Sequence, residues 1–197
     1  IISLGFDLKR GSWGCYHKDE LFLNNAYSYP ISGGKLEDTA SYEVHRRGEI
    51  SDDLGKGKYL TLRRNVAPLL FEITFTIYEG RELFTVEGMI SNTSGEEVTL
   101  PQIVLVDARK ENSGELLFGG DPMNCKALPN DLERCYANCY ARSVKEGFSL
   151  QSWWSLALAE EATKAGLIIG IIKPGDGELS FDLGYKGKDK RGFDLSI

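Results

Sequence analysis

The stretch that decides the fold is Phe71-Glu-Ile-Thr-Phe-Thr-Ile-Tyr78, in which apolar and polar residues alternate strictly. Successive side chains of a β-strand point to opposite faces of a sheet, so this alternation predicts a strand with one buried face. We expect the buried face to consist of the odd-numbered positions, Phe71, Ile73, Phe75 and Ile77. The even-numbered positions, from Glu72 to Tyr78, are expected to face solvent.

The same kind of pattern extends outward from this strand. Residues 82–91 follow closely enough to form a hairpin with it, and Asn92-Thr-Ser-Gly-Glu96 then turns the chain into a third strand, 98–107, of a predicted meander. Asn92-Thr93-Ser94 matches a glycosylation sequon, but asparagine is typical of turns, and we interpret it as a turn residue.

A second hairpin is predicted from residues 152–160 and 166–173. Gly166-Leu-Ile-Ile-Gly-Ile-Ile172 does not alternate, and we therefore expect a central strand covered on both faces, which requires two layers. Between residues 119 and 147 the alternation fails, and an Asn130-Asp131 pair predicts a short helix to about Tyr140. The fold class predicted is all-β, an antiparallel β-sandwich with at most one or two short helices.

Length and composition limit the domain count and the partners. The chain has 197 residues, 42% of them hydrophobic, and we expect a single β-sandwich domain over 1–197. The formal net charge is −6 with no long run of one sign, so nucleic acid is not expected as a partner. The longest apolar stretch is far shorter than the roughly 20 residues of a membrane span, so no membrane association is expected. The compartment is not decided, although the cytoplasm is favoured.

The residues that most often carry catalysis are sparse. Four cysteines, Cys15, Cys125, Cys135 and Cys139, lack the two close pairs typical of structural zinc, and we expect free thiols or one disulfide with no metal. Cys15 and His17 share a strand face, which leaves a Cys–His dyad as an alternative, but no oxyanion-hole motif accompanies them. Phosphate-binding glycine loops are absent, so no cofactor is expected. Asp107 and Asp121 are interpreted as turn or edge residues, and no catalytic residue is assigned.

Aromatic residues favour carbohydrate binding, because sugar rings can stack their apolar faces on tryptophan and tyrosine. The carbohydrate-binding residues predicted are Trp13, Tyr27, Tyr29 and Trp153. If Trp154 shares a strand face with Leu156 and Leu158, Trp153 must lie on the opposite face. We expect Trp154 in the core, and Trp153 either on a surface that a partner covers or beneath a second layer of the domain.

Two stretches carry a family resemblance: Phe84-Thr-Val-Glu-Gly-Met-Ile-Ser-Asn-Thr-Ser-Gly-Glu-Glu-Val-Thr-Leu100, and Trp153-Trp-Ser-Leu-Ala-Leu-Ala-Glu-Glu-Ala-Thr-Lys-Ala-Gly-Leu-Ile-Ile-Gly170. In its order of strands and turns, the chain resembles the amino-terminal β-supersandwich domain of glycoside hydrolase family 36, the α-galactosidase group, within the galactose-mutarotase-like superfamily. The resemblance covers roughly residues 65 to 185.

The resemblance implies that catalysis belongs to a barrel domain that follows the sandwich in the same polypeptide. Our first hypothesis is therefore a non-catalytic sandwich that braces a glycosidase barrel and contributes aromatic contacts to a sugar site. The second is an independent carbohydrate-binding or partner-binding β-sandwich. The third is an aldose epimerase, which would need paired histidines, and His17 and His45 are the two available. Partners expected are that catalytic domain and an oligosaccharide.

Overall fold

The prediction of an all-β, antiparallel sandwich protein is confirmed in a computed structural model of the chain. The structure describes residues 1–32, 35–36, 41–99, 102–118, 120–130, 140–172, 179–187 and 192–197. The chain divides into two compact units, Ile1–Asp107 and Ala108–Ile197. A single domain over 1–197 stays a prediction, and each unit is described by itself.

The described residues of the first unit form nine strands. Their bounds are β1 Ile2–Asp7, β2 Ser12–His17, β3 Glu20–Ser32, β4 Lys35–Leu36, β5 Glu43–Asp52, β6 Gly55–Val66, β7 Leu69–Tyr78, β8 Phe84–Asn92 and β9 Gln102–Ala108. One sheet has the order β1-β2-β3-β9, with β4 added to β3, and the other has the order β5-β6-β7-β8.

Aromatic side chains join the inner faces of these two sheets. The Phe75 ring on β7 meets the rings of Phe6 and Trp13, each at a centroid distance of 4.9 Å. Gly88 on β8 lies so close to Leu105 on β9 that a Cβ built at Gly88 would be 2.7 Å from a methyl carbon of that leucine. The glycine therefore allows the two layers to approach each other at this point.

The prediction for β7 is confirmed at three of its four inner positions, whereas the fourth, Ile77, is half-buried. Phe71, Ile73 and Phe75 are at most 2% exposed. The expectation that the opposite face is solvated is wrong at three of its four positions, because neighbouring side chains cover them. These are Glu72, Thr76 and Tyr78, which are 7%, 5% and 4% exposed. The alternation identified the two faces, but it could not indicate how much of the polar face is covered.

The predicted meander is correct for two of its three strands. β7 and β8 pair as an antiparallel hairpin, from Leu69 opposite Asn92 to Ile77 opposite Phe84. The third strand, β9, is not beside β8 but pairs with β3 in the other sheet. An apolar pattern predicts a strand and its inner face, but it does not predict the neighbouring strand. That neighbour depends on whether the connecting segment passes from one sheet to the other.

The turn after β8 agrees with the interpretation of Asn92. Its side-chain oxygen accepts a hydrogen bond from the Ser94 backbone N–H at 2.9 Å, and its amide nitrogen donates to the Glu96 carbonyl at 2.5 Å. Gly95 adopts a positive φ of 75°, which favours glycine.

The second unit contains the remaining strands and two short 3₁₀ helices. The helices are Lys110–Asn112 and Pro122–Asn124. The strands are β10 Glu115–Leu116, β11 Cys125–Pro129, β12 Arg142–Ser143, β13 Phe148–Trp153, β14 Ser155–Glu160, β15 Gly166–Gly170, β16 Ser180–Tyr185 and β17 Asp194–Ser196. Within this unit β13-β16-β17 lie side by side, and β12-β11-β14-β15 form a four-stranded sheet. The helix predicted from Asn130 to about Tyr140 falls largely on residues 131–139, outside the described residues.

The predicted hairpin of β14 and β15 is confirmed, but its second strand is not central. Ala157 lies opposite Ile168 and Leu158 opposite Leu167. β15 is the last strand in the order of its sheet, and Ile168 is 81% exposed. The lack of alternation in residues 166–172 therefore does not arise from burial on both faces.

The two tryptophans, Trp153 and Trp154, lie where β13 ends and the extended backbone conformation is interrupted. Trp153 is the last residue of β13, and Trp154 has a φ of 64°, which interrupts the strand predicted over 152–160. Leu156 and Leu158 are buried as expected, but Trp154 is only half-buried, because the break removes it from their alternation. Trp153 follows Ser149 and Gln151 on the exposed side of β13.

Candidate functional site

The four aromatic residues predicted to bind carbohydrate do not come together on one surface. Trp13 and Tyr29 are each 4% exposed. The Trp13 indole N–H donates to the Ser28 hydroxyl at 3.1 Å, and the Tyr29 hydroxyl donates to Asp107 at 2.5 Å. Both rings therefore belong to the core and present no open face. Tyr27 and Trp153 are half-buried, and each belongs to a different unit.

The Cys15 and His17 side chains have separate surroundings. Cys15 is 1% exposed, and burial raises the pKa of its thiol to about 12, so the thiolate nucleophile is scarce at neutral pH. The His17 Nε2 atom lies 2.9 Å from Glu82 at the exposed surface. These environments do not support a Cys–His dyad.

The other groups considered from the sequence have structural roles. Asp107 is fully buried within β9, which corrects its interpretation as a turn or edge residue. Asp121 caps the second 3₁₀ helix by accepting from the Met123 backbone N–H, as expected of a turn residue. Cys125 is free and buried, whereas Cys135 and Cys139 lie outside the described residues. Among the residues described, no group of three or more His, Cys, Asp and Glu side chains is placed to hold a metal ion.

A charged residue lies on the inner side of β6, where the sequence pattern did not predict one. Arg64 is 4% exposed, and its guanidinium lies over the Tyr42 ring at 5.4 Å and the Phe71 ring at 5.9 Å. Burial raises the pKa of Tyr42 to about 12, although the Arg64 charge opposes that increase. These cation–π contacts offset part of the cost of burying the guanidinium.

The outer face of β5 to β8 carries several charged groups that contact one another. Strand pairing places its side chains in three rows, which together we call the polar sheet face. The rows are Glu43, Arg63, Glu72 and Met89; Arg46, Thr61, Thr74 and Glu87; and Gly48, Tyr59, Thr76 and Thr85.

Glu72 is at the centre of the first row. Its side chain is only 9% exposed, and its carboxylate lies 3.1 Å from the His45 Nε2 atom and 4.0 Å from Arg46. His45 is the residue at which the pairing of β5 with β6 shifts register, a β-bulge. A bulge redirects the local side chain, and here the imidazole reaches across β6 to a residue of β7.

Four further polar groups of the face form pairs. Arg63 donates to Glu43 through Nε at 2.9 Å and through Nη2 at 2.6 Å. The Thr61 and Thr74 hydroxyls are 2.9 Å apart and hydrogen-bonded. The face thus carries three carboxylates, two guanidinium groups and one imidazole, and it has no excess of positive groups.

Tyr59 lies flat across the third row. A Cβ built at Gly48 would be 3.1 Å from both Cε1 and the hydroxyl oxygen of Tyr59, which shows that the tip of the ring rests directly above this glycine. Tyr59 is half-buried. A larger residue at position 48 would lift the ring from the sheet.

In the second unit, three apolar side chains cross the outer face of one sheet. Leu128 on β11 is opposite Ala157 on β14, which is opposite Ile168 on β15. Leu128 is 43% exposed and Ile168 81% exposed. We call these three residues the apolar row. Exposed apolar surface next to an edge strand without charges is typical of a surface that contacts another protein.

The two histidines belong to separate sites, which bears on the epimerase alternative. His45 contacts Glu72, whereas His17 contacts Glu82, just beyond the end of β7 at Tyr78. Six residues of extended strand separate Glu72 from Tyr78, which corresponds to about 20 Å. One small substrate cannot contact both imidazoles, so the paired histidines that an epimerase would need are not formed.

The sequence pattern indicates some of these residues but not their contacts. It places Glu72 and Thr74 on one polar face, and it pairs His45 only with His17, in the epimerase hypothesis. The signal that was available is a glutamate in the middle of a strongly alternating strand. The bulge at His45, which completes the cluster, has no counterpart in the alternation of residues 43–52.

Comparison of the chain with protein-family models, with curated proteins and with solved structures finds no match. The described helices are too short to cross a membrane. The class of the protein is therefore given by its fold, which is an antiparallel β-sandwich. The function of the protein is inferred from the surfaces described above.

Proposed function

We propose that this chain is a non-catalytic β-sandwich domain of a carbohydrate-active enzyme, of the α-galactosidase type, and that it braces the catalytic domain of the same polypeptide. The observation that carries the proposal is the apolar row of Leu128, Ala157 and Ile168 on an exposed sheet face. The resemblance of residues 65 to 185 to a glycosidase sandwich favours a catalytic barrel as the occupant of that face.

The edge position of β15 supports the same proposal. Edge strands of free-standing sheets commonly carry charges or proline, which block pairing with other chains. β15 has the sequence Gly-Leu-Ile-Ile-Gly and carries neither. A covalently linked domain packed on this face removes the exposed apolar side chains from water, at about 25 cal/mol for each Å² buried.

The position of Trp153 favours a contact between its indole ring and the catalytic domain. It is half-buried at the end of β13, on the side of Ser149 and Gln151. Its remaining indole surface is available to a barrel loop or to a sugar bound there.

The test uses the polypeptide encoded downstream of residue 197 as a separate partner. Full burial of an isoleucine side chain contributes about 1.5–3 kcal/mol, so Ile168→Ser should weaken association by roughly 10-fold to 150-fold. Association is measured by isothermal titration calorimetry. Val44→Ser, at an apolar position that is 50% exposed on β5, is the matched control and should leave the affinity unchanged.

The stability of Ile168→Ser must also be compared with that of the unmodified chain. A substitution at a side chain that is 81% exposed should change the free energy of unfolding by no more than about 0.5 kcal/mol. A coding sequence that stops after residue 197, or equal affinities for Ile168→Ser and Val44→Ser, would contradict the proposal.

A further inference from the structure

We propose that the polar sheet face is a binding site for a neutral oligosaccharide of at least two hexose units, with Tyr59 as the stacking platform and Glu72 as the hydrogen-bonding anchor. This inference rests on the proposed function for the class of ligand. It assigns the sugar to the outer face of β5 to β8, where no sequence-predicted aromatic residue lies.

The position of Tyr59 provides an apolar contact for a sugar ring. Because the tip of the ring rests above Gly48, the ring is held along the sheet and does not stand upright from it. A half-buried ring held in this way keeps exposed surface and loses little conformational freedom when a ligand stacks on it. The apolar face of a pyranose ring is the natural partner of such a surface.

Glu72 supplies the polar contact. The side chain keeps 9% of its surface exposed, and its carboxylate contacts His45 and Arg46. Because a carboxylate has about four lone-pair directions, it can accept one further hydrogen bond, from a ligand hydroxyl. Hydrogen bonds to charged acceptors are stronger than those between neutral groups. The neighbouring Arg46, 56% exposed, can donate to the same or an adjacent hydroxyl.

The charge of the face selects a neutral ligand. Three carboxylates, Glu43, Glu72 and Glu87, share adjacent rows with the Arg46 and Arg63 guanidinium groups and the His45 imidazole, so cationic groups do not outnumber anionic ones. A phosphate or an acidic polymer needs an excess of positive charge, and the face has none. Interleaved donors and acceptors are suited to hydroxyl groups, which both donate and accept.

The spacing of the rows sets the minimum length of the ligand. Tyr59 is opposite Thr76, and four residues of β7 separate Thr76 from Glu72, which corresponds to about 13 Å. One hexose ring stacked on Tyr59 does not reach Glu72. A second hexose unit, which passes the half-buried Thr74, does reach Glu72.

The experiment measures binding of the 197-residue chain to neutral oligosaccharides of two to six hexose units, α-galactosides included, by isothermal titration calorimetry. Tyr59→Ala should weaken the binding about tenfold through lost stacking, and Glu72→Gln by a similar factor. Tyr59→Phe keeps the ring and should bind within about threefold of the unmodified chain. Tyr16→Ala, at a tyrosine that is 37% exposed on β2, is the matched control and should not change the affinity.

Two further measurements make the outcome decisive. The NMR spectrum of each variant shows that the fold is retained, and an acidic oligosaccharide of matched length should bind more weakly than the neutral one. The inference is overturned if no neutral oligosaccharide binds at about 10 mM, or if Tyr59→Ala binds as well as Tyr16→Ala. If the chain binds no neutral oligosaccharide but still associates with the downstream polypeptide through Ile168, this inference alone is overturned. If the chain binds the oligosaccharide but no downstream domain is encoded, the bracing function alone is overturned.

Discussion

Truncation of Phe75 tests the assignment of the two faces of β7. The ring is 2% exposed and meets both Phe6 and Trp13 at 4.9 Å, so Phe75→Ala leaves a cavity between the two sheets of the first unit. Removal of a buried phenylalanine ring costs about 3–5 kcal/mol. We expect that loss in the free energy of unfolding.

The comparison variant is Thr74→Ala, one position along the same strand. Thr74 is half-buried on the outer face, and its hydroxyl bonds to Thr61, which is 1% exposed. Truncation leaves the Thr61 hydroxyl without that partner, at a cost of about 1–2 kcal/mol. The ratio of the two losses therefore distinguishes the apolar inner face from the partly covered polar face.

Guanidinium denaturation, followed by circular dichroism and tryptophan fluorescence, measures both variants. With a slope of about 4 kcal/mol per M, Phe75→Ala should lower the transition midpoint by about 1 M and Thr74→Ala by about 0.3 M. Coincident transitions by the two probes would justify a two-state treatment. Equal losses for the two variants would refute the assignment of the faces.

Three further outcomes are expected. The isolated chain should not hydrolyse aryl galactosides, and turnover that a single Asp or Glu substitution abolishes would show that it has its own catalytic pair. Burial raises the pKa of Cys15 to about 12, and burial together with nearby carboxylates raises the pKa of Cys125 to about 11. Neither thiol should therefore react with iodoacetamide at pH 8 until the chain is unfolded. Peptide mapping identifies the labelled sites. The hydrogen bond from His17, with a further contribution from Lys18, lowers the pKa of Glu82. His17→Gln should therefore raise the pKa of the Glu82 carboxyl towards its ordinary value, which an NMR titration measures. An unchanged titration would show that the contact is not formed in solution.

Local sequence pattern was sufficient for the strands and for their inner faces. The alternation in residues 71–78 predicted Phe71, Ile73 and Phe75 as core because a strand has a period of two, whatever its neighbours are. The hairpins of β7 with β8 and of β14 with β15 were also predictable, since short turns leave few alternative pairings.

Pairing between strands that are distant in sequence could not be predicted from the alternation of apolar and polar residues. β9 has the composition of a strand but pairs with β3, about seventy residues earlier, and not with the adjacent β8. The apolar run of β15 suits a central strand equally well, yet β15 is at an edge of its sheet and Ile168 is exposed. In both cases the hydrophobicity of a strand does not specify which partner covers it.

The candidate sugar site depends on tertiary structure for the same reason. The sequence by itself determined that Glu72 and Thr74 share the outer face of β7, because the period of the strand requires it. Only the folded sheet decided that His45 reaches Glu72 across β6 and that Tyr59 lies over Gly48. Those contacts join residues of strands that pair side by side, and a bulge at a single residue directs the imidazole; neither the pairing nor the bulge is encoded in the alternation of any one strand.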